Sequence, residues 1–312
     1  MKQPDFLNKG LDEVVCPITI IRATRLAKHL GLELTVASET FQHTGSFKFR
    51  AAYNLASKVP QRKIITASSG NFGQAMAYAC SLLGKSSIIV MPETSARVKI
   101  DAVREYGGLV DLIDVRVKGR SARVAELATE NPDAYVASAY DDLLVIEGNA
   151  SLGAELAALD REFDFVIAPV GGGGLTSGII SGLRAGGSKA RVVGAEPLMA
   201  NDAARSLRAG YIISNEREPQ TIADGARTVS VGVHNWAVLK DGLSRIVEVP
   251  EDNIREGVRL LFGFANLKAE PTGALAIGAV LTEPETFRGR QVCCVISGGN
   301  VDGDVYREIL TG

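Results

Sequence analysis

The sequence predicts an α/β protein built on largely parallel, doubly wound sheets. Three observations carry this. Strand-like and helix-like segments alternate along most of the 312 residues. The strand-like segments are continuous apolar runs such as SSIIVMP and QVCCVIS, as expected of strands buried on both faces. Glycine is abundant, at 33 residues, while aromatics make up only 6%, which favours tight turns at the ends of aliphatic strands.

In chain order, residues 32–38 (LELTVAS) read as a strand, and 46–57 have helical periodicity behind a serine placed to cap them. A strand over 63–68 (KIITAS) leads into a helix over 73–84. A strand over 86–92 (SSIIVMP) leads into a helix over 95–108. The rhythm resumes with a strand over 164–170 (DFVIAPV) and a helix over 174–186. Strands over 191–197, 244–250 and 291–297 complete the set. Repeated strand–helix units give a layered α/β architecture. There is no internal repeat, low-complexity stretch or long linker, so any division of the chain lies in short crossings. At ~150 residues per domain the length suits one large or two modest domains.

Composition excludes several classes. The 34 Lys and Arg against 36 Asp and Glu give a net charge of −2, with 46% hydrophobic and 22% charged residues. That is neither a disordered chain nor one with the basic excess that binds nucleic acid. No run approaches the ~20 apolar residues of a membrane span. The N-terminal segment lacks the apolar stretch of a signal peptide, so a cytoplasmic location is expected. The four cysteines, Cys16, Cys80, Cys293 and Cys294, show no CxxC spacing, and Cys293 and Cys294 would point to opposite faces of a strand. The three histidines, His29, His43 and His234, are scattered, which argues against a histidine metal cluster or a Ser/His/Asp triad. The difficult chemistry of such an enzyme is expected to come from a cofactor.

Ligands in open parallel sheets bind beyond the carboxyl ends of strands. Four places there stand out. Gly171–Gly174, followed by Leu175, joins a strand to a helix, and four successive glycines let backbone N–H groups converge on an anion at a helix start. This reads as a phosphate cradle, with a merely tight strand-to-helix turn as the alternative, and it lacks the GxxxxGK[ST] pattern of a P-loop. Lys48 falls in the first helical turn, behind Ser46, where the helix dipole disfavours a cation and so favours a depressed pKa. That suits an amine forming a Schiff base; on this stretch alone a solvated surface lysine is the alternative. Ser68-Ser69-Gly70-Asn71-Phe72-Gly73-Gln74 is a nest suited to a carboxylate, or ordinary capping. Ser297-Gly298-Gly299-Asn300 ends a buried strand with one hydroxyl, or is a plain turn.

Together, in this order, the four motifs resemble the fold-type II pyridoxal-phosphate enzymes, the group that includes the tryptophan synthase β chain. The branch is the one with threonine dehydratases and serine racemases, and the likeness runs from about residue 14 to 308. The resemblance implies two three-layer α/β/α domains with largely parallel twisted sheets. The large cofactor domain would take 1–55 and 143–312, and a small mobile domain 56–142. It implies pyridoxal 5'-phosphate as cofactor, an amino acid as substrate and a homodimer. Lys48 becomes the Schiff-base lysine that moves the α-proton. Phe47 packs beside the cofactor, Asn71 meets the pyridine 3-hydroxyl, and Ser297 faces the pyridine nitrogen. Gly171 to Gly174 and the Leu175 amide take the phosphate, and Gly225 and Glu270 line the site. Ser68, Ser69, Asn71, Phe72 and Gln74 meet the substrate, with Arg123 as a further carboxylate candidate. Ser69 also matches the opposite-face acid/base of racemases. Glu196, the Ala200 carbonyl and Asp202 match a divalent-cation site, whose hard oxygens suit Mg²⁺ or Ca²⁺.

A neutral hydroxyl at the pyridine nitrogen shortens the life of a carbanion, so loss of a β-substituent competes well with reprotonation. The implied reaction is therefore ammonia loss from a 3-hydroxy amino acid, giving a 2-keto acid. Racemisation, cysteine-synthase-like β-replacement and a silent small-molecule-binding scaffold are the alternatives. Two departures matter. Phe72 stands where this branch usually has histidine, and Ser138-Ala139-Tyr140 where it usually has His-Pro ahead of Asp141-Asp142. Phe72 points to a substrate side chain larger or less polar than that of serine or threonine. The chain ends soon after the Ser297 motif, so feedback by isoleucine is not expected.

Overall fold

The computed structural model describes residues 10–68, 70–95 and 97–312. Among them lie ten strands in two sheets. The strands are β1 (Thr19–Ile21), β2 (Glu33–Ser38), β3 (Lys63–Ala67), β4 (Ser86–Pro92) and β5 (Leu109–Ile113), followed by β6 (Tyr135–Ala137), β7 (Phe165–Pro169), β8 (Arg191–Pro197), β9 (Leu243–Val249) and β10 (Gln291–Ile296). The six-stranded sheet has the order β1-β2-β10-β7-β8-β9, parallel except for β1, which runs antiparallel to β2. The four-stranded sheet, β5-β4-β3-β6, is parallel throughout.

The apolar runs do what their composition predicts. In β7, Phe165 and Ile167 enter one core cluster, while Val166 and Ala168 enter another on the opposite face. In β10, Cys294 joins the first and Cys293 the second, so the adjacent thiols do face apart. Helices Glu251–Ala265 and Pro271–Thr282 cover the first face, and Leu143–Ala157 and Gly174–Ala185 the second. The four-stranded sheet is sandwiched likewise, with Ile64 packing on helices Lys48–Lys58 and Asn71–Leu82, and Ile65 towards helix Arg120–Glu130. Helix Lys48–Lys58 thus carries its apolar side chains to the smaller sheet, and a boundary drawn after residue 55 runs through it. Among the described residues, no helix is long and apolar enough to cross a membrane.

One local expectation is corrected. Ser46 does not cap the helix that follows. Its backbone bridges to Gly298, the Phe47 N–H donates to the Ser297 carbonyl at 3.0 Å, and the helix starts at Lys48 with Phe47 as its N-cap. Docking on the Ser297 loop, rather than a serine cap, sets where the helix begins.

Candidate active site

A cavity of about 470 Å³ lies beyond the carboxyl ends of both sheets. Phe47, Lys48, Ser68, Asn71, Phe72, Gly171–Gly174, Leu175, Gly225, Glu270 and Ser297 line it. Segments separated by up to about 250 residues thus meet as the motif order suggested. The loops are stitched together by backbone: Glu270 N–H donates to the Gly298 carbonyl at 3.1 Å and Gly299 N–H to the Gly45 carbonyl at 2.9 Å.

The glycine run is a tight cradle. A Cβ at Gly172 would stand 2.2 Å from the Tyr140 ring, and one at Gly171 would stand 2.9 Å from the Ala226 backbone. Gly173 has φ +93°, the left-handed region that side chains avoid. The Gly172 carbonyl accepts from Asn235 Nδ2 at 2.6 Å and from the Gly232 N–H at 3.0 Å. In a trans peptide this turns the Gly173 N–H the opposite way. The loop opens helix Gly174–Ala185, whose positive end favours an anion.

Lys48 Nζ donates to the Ala139 carbonyl at 2.9 Å and sits 5.0 Å and 5.7 Å from the Phe47 and Phe72 ring centroids. Removal from water pulls its pKa down from 10.5 to about 8, against the opposing pull of Glu270. Glu270 is 2% exposed, and burial pushes it from 4.5 up to about 8, with Asp224 adding to the rise. Its Oε1 accepts from Asn71 Nδ2 at 2.8 Å, while Oε2 is buried without a partner among the described residues. Asn71 in turn accepts from Asn300 Nδ2 at 2.9 Å, which fixes its amide. Gly225 N–H donates to Thr272 Oγ1 at 2.9 Å. Ser297 is buried at the cavity wall.

Other expected residues lie elsewhere. Ser69 is outside the described residues. Gln74 is buried and does not line the cavity. Arg123 does not line it either: its guanidinium is held by Asp111 at 2.9 Å, Glu126 at 3.0 Å and Glu130 at 3.1 Å. It lies one turn along helix Arg120–Glu130, whereas Arg120, the first residue, reaches the cavity. Glu196 and Asp202 form a separate buried acidic pair. Glu196 accepts from the Ala203 and Ala204 N–H groups at 2.9 and 2.8 Å. Asp202 accepts from Asn215 at 2.9 Å with one oxygen, and its other oxygen is buried without a partner among the described residues. Burial and Asp202 push Glu196 well up, and burial pushes Asp202 to about 7. Among the described residues no three His, Cys, Asp or Glu side chains cluster as metal ligands, so such a site would rest on these two and the Ala200 carbonyl.

Several lining residues carried no sequence signal as a site. Lys99, 10% exposed in its side chain, ion-pairs with Asp224 across the cavity. Tyr140, Arg120, Glu218, Arg227 and Thr272 also line it. Tyr140 falls in the segment that departs from the usual His-Pro, which is the one mark that could have pointed to it.

A desolvated lysine amine and a tight glycine loop at a helix start, in one cleft between two largely parallel sheets, suit an enzyme that works through a carbonyl cofactor bearing a phosphate. The chain matches the family described as "Pyridoxal-phosphate dependent enzyme" over residues 11–298, and it belongs to that family. It is 34% identical to a beta-hydroxyaspartate dehydratase of Paracoccus denitrificans, over 88% of this chain and 87% of the relative. It superposes on maize serine racemase with TM-score 0.90 and 28% identity, covering 96% of this chain and 92% of that one. A processed threonine deaminase of Solanum lycopersicum gives TM-score 0.90 and 28% identity, covering 99% and 92%. These likenesses make the fold that of the fold-type II enzymes, with pyridoxal phosphate as cofactor. The tight glycine loop at a helix start fits an anionic group such as its phosphate, and Lys48, Asn71 and Ser297 line the same cavity.

Proposed function

We propose that this protein is an ammonia-lyase that converts a 3-hydroxy amino acid to a 2-keto acid and ammonia. The observation that carries the reading is the Lys48 amine, desolvated to a pKa of about 8 and facing the glycine cradle. The named relatives add support, being a beta-hydroxyaspartate dehydratase and a threonine deaminase.

When bound, pyridoxal phosphate supplies the electron sink for the pair left behind by the α-proton. Gly171 to Gly174 and the Leu175 amide hold its phosphate. Phe47 packs beside the ring, and Asn71 and Ser297 meet its polar edge near Gly225. Ser68 and Ser69, with the N-terminus of helix Asn71–Leu82, orient the substrate carboxylate. Lys48, largely neutral at pH values above about 8, removes the α-proton and holds it at Nζ. Glu270 is pushed up by burial, and what negative charge it carries opposes the loss of the Lys48 proton. The α-proton and the β-hydroxide leave together as water, so that an enamine remains, and hydrolysis of its imine tautomer gives keto acid and ammonia. Two side chains and a carbonyl, at Glu196, Asp202 and Ala200, are proposed to hold Mg²⁺ or Ca²⁺. The orphaned Asp202 oxygen and the mutual repulsion of the acids support this. We further propose residues 56–142 as a mobile small domain, a homodimeric assembly and a cytoplasmic location.

The test is a keto-acid assay on the holoenzyme with serine, threonine, 3-hydroxyaspartate and phenylserine, in each enantiomer, with and without Mg²⁺ or Ca²⁺. Borohydride should fix the cofactor to Lys48. No keto acid from any substrate would overturn the lyase reading.

A further inference from the structure

Two buried asparagines stand behind the glycine loop. Asn149, on helix Leu143–Ala157, is 1% exposed, and Asn235, on helix Val233–Gly242, is fully buried. Neither lines the cavity. Asn149 Nδ2 donates to the Gly174 carbonyl at 3.1 Å. Asn235 Nδ2 donates to the Gly172 carbonyl at 2.6 Å and to the Tyr140 carbonyl at 3.0 Å. In both residues the amide oxygen is buried without a partner among the described residues.

An unpaired buried acceptor costs stability, so each amide is kept for its donors. Turning either one over would set its oxygen against a carbonyl oxygen. Those carbonyls do not need the side chains for want of a partner. Gly172 already accepts from the Gly232 N–H at 3.0 Å, and Gly174, the first residue of helix Gly174–Ala185, offers its carbonyl to the helical ladder. What the amides add is direction. They draw two carbonyls of the loop to the side away from the cavity, and across each trans peptide the next N–H points the opposite way. Those N–H groups belong to Gly173 and Leu175, which both line the cavity. Asn235 is itself anchored. Asp141 accepts from the Val233 and His234 N–H groups at 3.0 and 2.9 Å, and the Ser177 hydroxyl donates to the Asn235 carbonyl at 3.3 Å.

We infer that Asn149 and Asn235 are positioning residues for the cofactor phosphate. From behind the loop their amides hold the Gly172 and Gly174 carbonyls back, and so keep the Gly173 and Leu175 N–H groups aimed at the anion before it arrives. The inference rests on the assignment of the phosphate to Gly171–Gly174 and not on the reaction that the cofactor serves. Donors fixed in advance cost no reorganisation on binding, and a shell of supporting hydrogen bonds is what fixes them. Asn235, with two carbonyl partners, carries more of this than Asn149, with one.

The experiment compares the affinity of the full chain for pyridoxal 5'-phosphate and for pyridoxal, by absorbance titration of protein resolved from its cofactor. The two probes differ only in the phosphate. The unmodified protein should prefer the phosphate ester by at least about 100-fold. N235L, which keeps the side chain's shape and removes the donor, should cut that preference about tenfold, and N149L about threefold. Pyridoxal itself should bind each variant within about twofold of the unmodified protein. A merely structural role would instead lower both affinities together and leave their ratio unchanged. N149L carries the test on its own if N235L does not fold. A preference that survives in the folded variants, or an equal loss of both affinities, overturns the inference and leaves the phosphate assignment standing. Equal binding of the two probes by the unmodified protein overturns the assignment and the inference with it.

Discussion

Two cations on one helix, two residues apart, have opposite fates. Arg50 is fully buried and saturated: Glu39 takes Nε at 2.8 Å and Nη2 at 2.9 Å, Glu155 takes Nη1 at 2.6 Å, and the Cys16 carbonyl accepts at 3.2 Å. Burial works against its charge, but Glu39 and Glu155 outweigh burial and hold the proton on. Lys48, at the start of the same helix, has one carbonyl partner and opens on the cavity. There burial wins, and the amine falls to about 8. The number of partners separates a structural cation from a reactive one. Desolvation alone drives a proton off, whereas desolvation with complete pairing locks it in.

The sharpest way to break this contrast is to remove Lys48. K48A should lower keto-acid formation at least about 10⁴-fold, and borohydride should no longer fix the cofactor covalently to the chain. Stability should not fall, because the substitution removes a desolvated amine with a single hydrogen bond. A K48A protein that unfolds at markedly lower urea would place Lys48 with Arg50 as a structural residue.

R50M should give the reverse outcome. It leaves the Glu39 carboxylate, 1% exposed, without its guanidinium. Breaking a buried pair this way costs about 3–5 kcal/mol. Urea unfolding should show that loss, and R50M/E39L should recover much of it by removing both charges. If R50M were as stable as the unmodified protein, the pairing would not be holding the chain together.

Much of the fold is legible in the sequence. Strands β2, β3, β4, β7, β8, β9 and β10 were marked by apolar runs because most are flanked on both sides and covered on both faces. Strands β1, β5 and β6 left no such mark. Each forms a sheet edge, two have only 3 residues, and Leu109, Leu112 and Val136 remain exposed. The site divides in the same manner. Glycine loops and Lys48 are local features, since a turn or a helix start dictates the residue there. Lys99 and Arg120 owe their place to how one sheet's helices meet the other sheet's loops, which no local pattern encodes. Arg123 and Arg120 differ by one helical turn, and only packing decides which of them reaches the cavity.

Acidity offers a smaller effect that sharpens the comparison. In cofactor-free protein, Lys48 titrates near 8 folded and near 10.5 unfolded. Between those values the unfolded chain binds more protons, so stability should rise with pH across this window. Glu270 runs the other way: its folded pKa of about 8 lies above 4.5, so its contribution is present at low pH and is lost as pH rises towards 8. Denaturation midpoints should therefore pass through a minimum near pH 8. K48M should flatten the alkaline limb and E270Q the acidic one. A profile unchanged in both variants would mean that neither group is desolvated as the cavity geometry requires.

The smallest effect is expected at Phe72, the aromatic of the Ser68–Gln74 loop. Its ring is 2% exposed, packs into the smaller sheet's core, and presents a face 5.7 Å from the Lys48 amine. Such an aromatic face contributes about 0.5–1 kcal/mol to a nearby ammonium. F72H trades that face for ring nitrogens and adds a hydrogen-bonding group beside the substrate space. The expected change is a shift of roughly two- to five-fold in relative kcat/KM, towards serine and away from substrates with larger side chains. An unchanged ranking among serine, threonine and 3-hydroxyaspartate would show that Phe72 belongs, like Arg50, to the packing of its helix rather than to the reading of the substrate.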